Sequence, residues 1–197
     1  FNAILNPKAA KLLWPKLTAK QQQHNHEVFA ISCLLSLLNG LRDFEPGQLL
    51  VNDFSSQNST LLVTGRGKHL RLLPIHPALA ERLKKLQRAV QKDGFENRLL
   101  WLHIPHGKKT ILTAGHLRRT FNKICAYLGL PELDFYTFRH RYRTDLNSLG
   151  VPDRTINYLM GHDKSYVASF TYNVLHDNTR EICLEMADKL IERYDIC

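Results

Sequence analysis

The sequence contains little cysteine. Its 197 residues include four cysteines, Cys33, Cys125, Cys183 and Cys197, which lie far apart and form no CxxC pair. This spacing argues against a disulfide framework and against a cysteine-based zinc site. Cys33 and Cys125 fall in apolar helical patterns, where a buried reduced thiol is the usual state. We therefore expect the protein to reside in a reducing compartment.

Long apolar runs are also missing. A membrane-spanning helix needs about 20 consecutive apolar residues, and no run in this sequence is that long. No signal peptide is evident. The histidines His24, His26, His103 and His106 lack a third ligand at helical or hairpin spacing, so they do not indicate a metal site. The sequence therefore predicts neither a membrane partner nor a metal or other cofactor.

What the chain does have is positive charge. Lysine and arginine number 27 against 18 acidic residues, which gives a formal net charge of +9. Such a surface attracts polyanions, and binding to phosphates releases their counterions. The charge is thus compatible with a nucleic-acid partner, although many soluble basic proteins have no such partner.

Apolar residues recur at three- and four-residue spacing, which is typical of amphipathic helices. The predicted helices are residues 21–41, 78–92, 117–128, 137–149, 152–160 and 179–193. Three β candidates precede the second helix, at 48–54, 60–64 and 70–75, and residues 65–68 read as a hairpin turn between the last two. No strand is expected after Pro77. The predicted fold is mainly α with one small three-stranded antiparallel sheet.

The most informative part of the sequence is residues 136–172. It contains Arg139, His140, His162 and, ten residues further on, Tyr172. A tyrosine has an ordinary pKa of about 10, so it becomes a nucleophile only where cations and a base surround the reacting group. Guanidinium groups match the oxygens of a phosphate. This set of residues is suited to attack on a phosphodiester.

Two earlier segments can add cations. Arg42 follows the first predicted helix, with Glu45 three residues later, and Lys68 lies on the predicted hairpin turn near Arg66 and Arg71. Taken singly, each of these cations is more typical of a solvated surface. A lysine on a hairpin could nevertheless donate a proton to a leaving oxygen.

In this order the motifs resemble those of the tyrosine recombinase family, the phage-integrase type. Members typically show GLRxxE, then a GKGxKxR hairpin, HxLRHxxATxL, LGH and the tyrosine. The chain has NGLRDFE at 39–45, GRGKHLRLLP at 65–74, YTFRHRYRTDL at 136–146, LMGH at 159–162, and then Tyr172. The resemblance runs from about residue 21 to the end and implies the catalytic-domain fold of that family.

The resemblance implies a role for each residue. Arg42 and Arg139 would bind the scissile phosphate, and His162 would hydrogen-bond to it. Tyr172 would attack the phosphorus and give a 3′-phosphotyrosyl link, while Lys68 would protonate the leaving 5′ oxygen. Fixed cations stabilise the charge in such a reaction, so neither metal nor ATP is expected.

Three departures from the family pattern are visible. Tyr136 occupies the position of the usual histidine, which is linked to general-base work. Arg66 falls where many members have the hairpin lysine, which leaves Lys68 as the best available lysine. The spacing from the LMGH motif to Tyr172 is about one residue longer than usual, and Tyr166 is a rival that lies too close to the motif.

Residues 140–143 also read HxxR and offer a second way to align the family box. Phe138, Thr144 and Leu146, however, match the box when Arg139 is its arginine. Besides the catalytic set, five residues are expected to contact DNA: Arg66, His69, Arg71, His140 and Arg143.

The sequence thus predicts a site-specific DNA recombinase that acts on double-stranded DNA as a tetramer. The segment after Tyr172 is expected to dock on a neighbouring subunit. Residues 1–20 would be a linker or arm from an N-terminal DNA-binding domain, and 21–197 the catalytic domain. The expected location is the bacterial cytoplasm, in association with the nucleoid. The alternatives are a non-catalytic DNA-binding module on the same fold and a type IB topoisomerase-like enzyme that relaxes DNA.

Overall fold

The computed structural model describes residues 6, 8–93, 95–162, 177–194 and 196. This part of the chain contains seven α-helices: α1 (Ala9–Leu13), α2 (Ala19–Asn39), α3 (Pro77–Asp93), α4 (Ala114–Tyr127), α5 (Thr137–Ser148), α6 (Asp153–Leu159) and α7 (Asp177–Tyr194). It also contains five strands: β1 (Phe54–Ser55), β2 (Thr60–Thr64), β3 (Leu70–Pro74), β4 (Trp101–His103) and β5 (Lys109–Ile111). The predicted fold class, mainly α with a small three-stranded antiparallel sheet, is confirmed.

Helix α2 is the centre of the core. Its start is fixed by a capping box, in which the Thr18 hydroxyl accepts from the Gln21 amide and the Gln21 side chain accepts from the Thr18 amide. Every residue from 28 to 39 is buried, as expected for a helix surrounded by other elements. Helices α1, α3, α4, α5 and α7 all pack against it.

The α2 helix ends at Gly40, which has a φ of +65°. A Cβ at Gly40 would lie only 2.5 Å from the Tyr142 ring of α5. Glycine is therefore required both by the left-handed backbone and by the close approach of α5. This approach positions the segment after α2, which includes Arg42, beside α5 and its Arg139.

The main sheet has the order β1-β2-β3 and is antiparallel throughout. In the β2–β3 hairpin, Leu61 pairs with Leu73 and Val63 with Arg71. The alternation places Leu61, Val63 and Leu73 in the core. The connection between the two strands is a 3₁₀ turn at Arg66–Lys68.

Two β predictions are corrected by the structure. Residues 48–54 do not form a strand: they form 3₁₀ turns at Pro46–Gln48 and Val51–Asp53, and only Phe54 enters β1. Leu49 and Val51 are buried from turns rather than from an extended segment, and Leu50 is exposed. The chain after Pro77 also contains a second sheet, in which β4 pairs with β5, where no strand was expected.

The two ends of the described chain pack on the core. In α1, Ala9 and Leu13 are buried against α2 and α4. The division into an arm at 1–20 and a domain at 21–197 stays a prediction. Helix α7 buries Cys183, Met186 and Leu190 on its own chain, and no helix among the described residues is long and apolar enough to cross a membrane.

Candidate active site

Arg139 is the most deeply buried cation of the site. It lies on α5 with 1% of its surface exposed. Its guanidinium donates to the carbonyl of Gly40 through Nη1 and to the carbonyl of Met160 through Nη2, at 2.5 Å. Burial and the nearby charge of Arg42 lower the pKa of Arg139 to about 10. The guanidinium therefore remains charged at neutral pH and joins the end of α2 to the end of α6.

Arg42 lies beside Arg139 and is more accessible, with 18% of its side chain exposed. Its Nη1 donates to Glu45 Oε1 at 2.9 Å, and its Nη2 donates to the Gly161 carbonyl at 3.1 Å. The side chain is thus held in place by one carboxylate and one peptide group. Part of its surface still faces the solvent, where an anion can approach.

Glu45 and Arg71 form a buried ion pair beneath Arg42. Arg71 Nη1 donates to Glu45 Oε1 at 2.9 Å, and Arg71 Nη2 donates to Glu45 Oε2 at 2.6 Å. Burial acts to raise the pKa of Glu45, but the hydrogen bonds and charges of Arg71 and Arg42 outweigh it and lower that pKa. The carboxylate is therefore ionised and fixes two arginines at once.

The sequence indicated Glu45 only as the last letter of GLRDFE and gave no sign of its partner. Arg71 was predicted to contact DNA, and that contact stays a prediction. In the structure Arg71 is 2% exposed and is bound to Glu45. The pairing brings together residues 26 positions apart, which only the folded hairpin reveals.

His162 completes the cluster at the end of α6. Its backbone amide donates to the Asn157 carbonyl at 2.8 Å, and its Nε2 lies 3.0 Å from Arg139 Nη2. Burial, followed by the charges of Arg139, Arg42, Arg143 and Arg71, lowers the pKa of His162. Because a guanidinium can only donate, the imidazole accepts at Nε2 in its neutral form.

Gly161 allows this close arrangement. Its φ is +62°, and a Cβ there would lie 3.0 Å from Arg71 Nη1 and 3.4 Å from Arg42 Nη1. A side chain would be strained and would also press on Arg71. The glycine of the LMGH motif is thus explained by backbone geometry and by space.

The predicted hairpin residues reach the site only through the base of the hairpin. A Cβ at Gly65 would lie 3.3 Å from both Arg71 Nη1 and Glu45 Oε1. Arg66 and Lys68, in contrast, are exposed at the tip. The structure therefore places the hairpin over the Glu45–Arg71 pair, with its cations facing the solvent.

Tyr136 lies at the rim, just before α5, and is 37% exposed. Its ring meets that of His140 edge-on at 4.5 Å, and the Arg139 Cζ lies 6.0 Å from the Tyr136 ring centroid. His140 and Arg143 are exposed on α5. Tyr172 and its rival Tyr166 lie outside the described residues.

The described site therefore unites three arginines, one carboxylate and one neutral imidazole. Since this group contains three guanidiniums and only the carboxylate of Glu45, which binds two of them, positive charge is in excess. Guanidinium forks and an imidazole are suited to binding a tetrahedral oxyanion such as a phosphodiester. In the part of the chain that the structure describes, no group of three histidine, cysteine or acidic side chains could hold a metal ion.

Known proteins resemble the chain both in sequence and in fold. Residues 11–178 match the Phage integrase family. The tyrosine recombinase XerC of Agrobacterium fabrum is 29% identical over 153 residues, which cover 75% of this chain and 48% of the relative. XerC of Rhizobium meliloti is 32% identical over 134 residues, covering 66% of this chain and 41% of the relative.

The likeness of the fold extends to solved structures. The integrase from mycobacterium phage Brujita superposes with a TM-score of 0.60 at 23% identity, covering 82% of this chain and 52% of that chain. XerA recombinase superposes with a TM-score of 0.60 at 14% identity, covering 98% of this chain and 62% of that chain. These similarities show a shared fold. The chain spans about half the length, or less, of the curated relatives that it matches.

Proposed function

The chain belongs to the phage integrase family, and from this premise we propose that it cuts and rejoins DNA strands in site-specific recombination. The observation that carries the proposal is the convergence of Arg42, Arg139 and His162. Arg139 donates toward His162 Nε2 across 3.0 Å, and Arg42 donates to the carbonyl of the preceding Gly161. Three separate motifs of the sequence thus supply one cationic pocket.

In the proposed reaction the scissile phosphate enters this pocket. Arg42 and Arg139 stabilise the charge that develops on its non-bridging oxygens. His162, held neutral by the surrounding arginines, hydrogen-bonds to one of these oxygens. No metal ion is required, because the fixed guanidinium groups provide the positive charge.

The covalent step exchanges one ester for another. The phenol oxygen of Tyr172 forms a bond to phosphorus and the bond to the 5′ oxygen breaks, which leaves a 3′-phosphotyrosyl link. The phenol proton passes to water, and Lys68 donates a proton to the departing 5′ oxygen. Because the phosphotyrosine keeps the ester bond, a second 5′ hydroxyl can reverse the step.

Groups around the pocket would hold the rest of the duplex. Arg66 and His69 on the hairpin, and His140 and Arg143 on α5, would meet backbone phosphates. Tyr136 would add its hydroxyl at the rim of the pocket. Arg71 would act with them from below by fixing Glu45.

Recombination also requires partners and a place of action. We propose a tetramer on two double-stranded DNA segments, working at the nucleoid in the bacterial cytoplasm. The segment after Tyr172 would dock on a neighbouring subunit. Since α7 buries Cys183, Met186 and Leu190 on its own chain, docking of the whole helix in trans would require its release from this position.

Covalent capture on nicked duplexes tests the proposed function. A library with randomised sequence is incubated with the protein, and adducts are selected under denaturing conditions. The wild type is expected to form an adduct and the Tyr172→Phe variant none, while the control Tyr166→Phe retains it. An adduct that survives Tyr172→Phe contradicts the nucleophile assignment.

The same experiment separates the alternatives. A non-catalytic DNA-binding module would bind DNA with a strong salt dependence and form no adduct with any duplex. A topoisomerase-like enzyme would relax supercoiled DNA as a monomer without preference for a site.

A further inference from the structure

The Tyr158 hydroxyl contacts the outer edge of the main sheet. Tyr158 lies on α6, and its Oη accepts from the Leu72 amide at 3.1 Å and lies 3.3 Å from the Leu72 carbonyl oxygen, to which it donates. Leu72 lies in β3, the edge strand that leads out of the hairpin. One side chain therefore satisfies both peptide groups of a residue in this strand.

The register explains why these groups of Leu72 are open. The Gly65 amide donates to the His69 carbonyl at 2.7 Å, which sets the phase of the antiparallel ladder. In an antiparallel ladder, residue pairs whose peptide groups bond to each other alternate with pairs whose peptide groups point away from the partner strand. The Leu62–Leu72 pair is of the second kind, so the peptide groups of Leu72 point away from β2. An unpaired edge of this kind is usually covered or satisfied by another element. Here the hydroxyl of a helical tyrosine takes that place.

This contact closes a circuit that begins and ends on α6. Leu72 is bonded to Tyr158 and is the chain neighbour of Arg71, which binds Glu45 at 2.6 Å. The Glu45 carboxylate in turn binds Arg42.

The circuit returns to the helix through Gly161. Arg42 donates to the Gly161 carbonyl at 3.1 Å, and the Gly161 amide donates to the Tyr158 carbonyl at 2.8 Å. Because Glu45 is buried and accepts two hydrogen bonds from each arginine, its ion pairs persist without Tyr158. Loss of the hydroxyl therefore acts mainly on the strand edge and on the hairpin that this strand supports.

We propose that Tyr158 is a positioning residue that fixes the 65–68 hairpin relative to the end of α6, and so relative to His162. This inference rests on the proposed function, in which Lys68 on the hairpin protonates the leaving oxygen. Tyr158 touches no reacting atom itself. It acts through the backbone of β3, whose first residues continue from the turn that holds Lys68.

The Tyr158→Phe variant tests the contact directly. The variant keeps the buried ring and removes only the hydroxyl, so the fold is expected to remain. Amide hydrogen exchange, followed by NMR, should show the Leu72 amide exchanging about tenfold faster, the effect of losing one hydrogen bond. The control Tyr127→Phe removes a hydroxyl from a ring that is 66% exposed and should leave the Leu72 amide unchanged.

A pair of DNA substrates tests the consequence for the reaction. Duplexes captured by the wild type are prepared with a normal 5′ oxygen or with a bridging 5′ sulfur at the cut site. A thiolate leaves without protonation, since an ordinary thiol has a pKa of about 8.5. We expect Tyr158→Phe to slow cleavage of the oxygen substrate on the order of tenfold and to leave cleavage of the sulfur substrate close to the wild-type rate.

Each outcome decides the matter. Equal slowing with both substrates contradicts a specific effect on the hairpin and leaves a general structural role. An unchanged oxygen rate, or an unchanged Leu72 amide, also overturns the proposal. If the wild type cleaves neither substrate, the proposed function fails together with the positioning role of Tyr158.

Discussion

Glu45 holds Arg42 at two places, because one carboxylate oxygen accepts from the Arg42 backbone amide at 2.7 Å and the other from its guanidinium at 2.9 Å. The same carboxylate receives both terminal nitrogens of Arg71. One negative charge thus orders two cations, and the surplus positive charge is available to an anion. The three-residue spacing in GLRDFE allows the Glu45 side chain to fold back onto Arg42.

Removal of this carboxylate charge should destabilise the fold. In Glu45→Gln the buried Arg71 and the partly exposed Arg42 lose their shared counter-ion, and breaking a buried pair such as Arg71–Glu45 costs about 3 kcal/mol. Urea denaturation measures the loss. The control Glu185→Gln alters an exposed pair with Lys189 and should change the unfolding free energy by less than about 0.5 kcal/mol. Equal losses in both variants would show that Glu45 is not the anchor of the cluster.

The stabilisation by Glu45 should also depend on pH. Since its folded pKa is lowered from an ordinary value of 4.5, the unfolded chain takes up a proton first as the pH falls. The contribution is complete above about pH 4.5 and is lost progressively below it, as the pH approaches the folded pKa. The difference in unfolding free energy between wild type and Glu45→Gln should therefore shrink below pH 4.5. A constant difference from pH 7 to pH 3 would contradict this linkage.

His162 should titrate below the ordinary histidine range. Its pKa is lowered by burial and by four arginines, among them Arg143, so NMR titration should give a midpoint under 6.5. Arg143→Gln removes one of these charges from an exposed position and should raise the midpoint. The control Arg193→Gln changes an arginine on α7 that does not act on His162, and its midpoint should match the wild type. A midpoint above 6.5 in the wild type would contradict this prediction, because it would show that a neighbouring group stabilises the protonated imidazole.

Six of the seven described helices were predicted, because their apolar spacing survives in the sequence, whereas the short helix α1 was not. Residues 137–149 were predicted as a helix, and α5 spans Thr137–Ser148. Strands β4 and β5 have three residues each, too few to show alternation, and they were missed. Residues 48–54 showed the opposite error, since an apolar run can be buried from turns as well as from a strand.

The side chains of the site could be predicted from the sequence, but the backbone groups that hold them could not. Arg42, Arg139 and His162 were named from their motifs, and the structure brings them together. Their anchors are the carbonyls of Gly40, Met160 and Gly161, which every residue possesses and no sequence pattern marks. The same is true of the bond from Tyr158 to the β3 backbone, which depends on the phase of a hairpin.

The glycine of LMGH gives a test of space within the site. Gly161→Ala places a methyl group 3.0 Å from Arg71 Nη1 in a backbone with a φ of +62°. Gly150→Ala is the matched control, because its φ is +71° but nothing lies within 4 Å of the added carbon. Both variants should lose roughly 1 kcal/mol of unfolding free energy from the left-handed backbone.

Only the change at 161 should affect the reaction, since it presses on Arg71, whose partner Glu45 also holds Arg42, as well as straining the chain. This pressure is expected to slow covalent capture of DNA on the order of tenfold, while Gly150→Ala keeps the wild-type rate. Measuring capture rates well below the melting temperature of each variant separates the two effects. If both variants slow capture equally, backbone strain alone accounts for the requirement for glycine at position 161. The close packing of Gly161 against the arginines would then have no part in the chemistry.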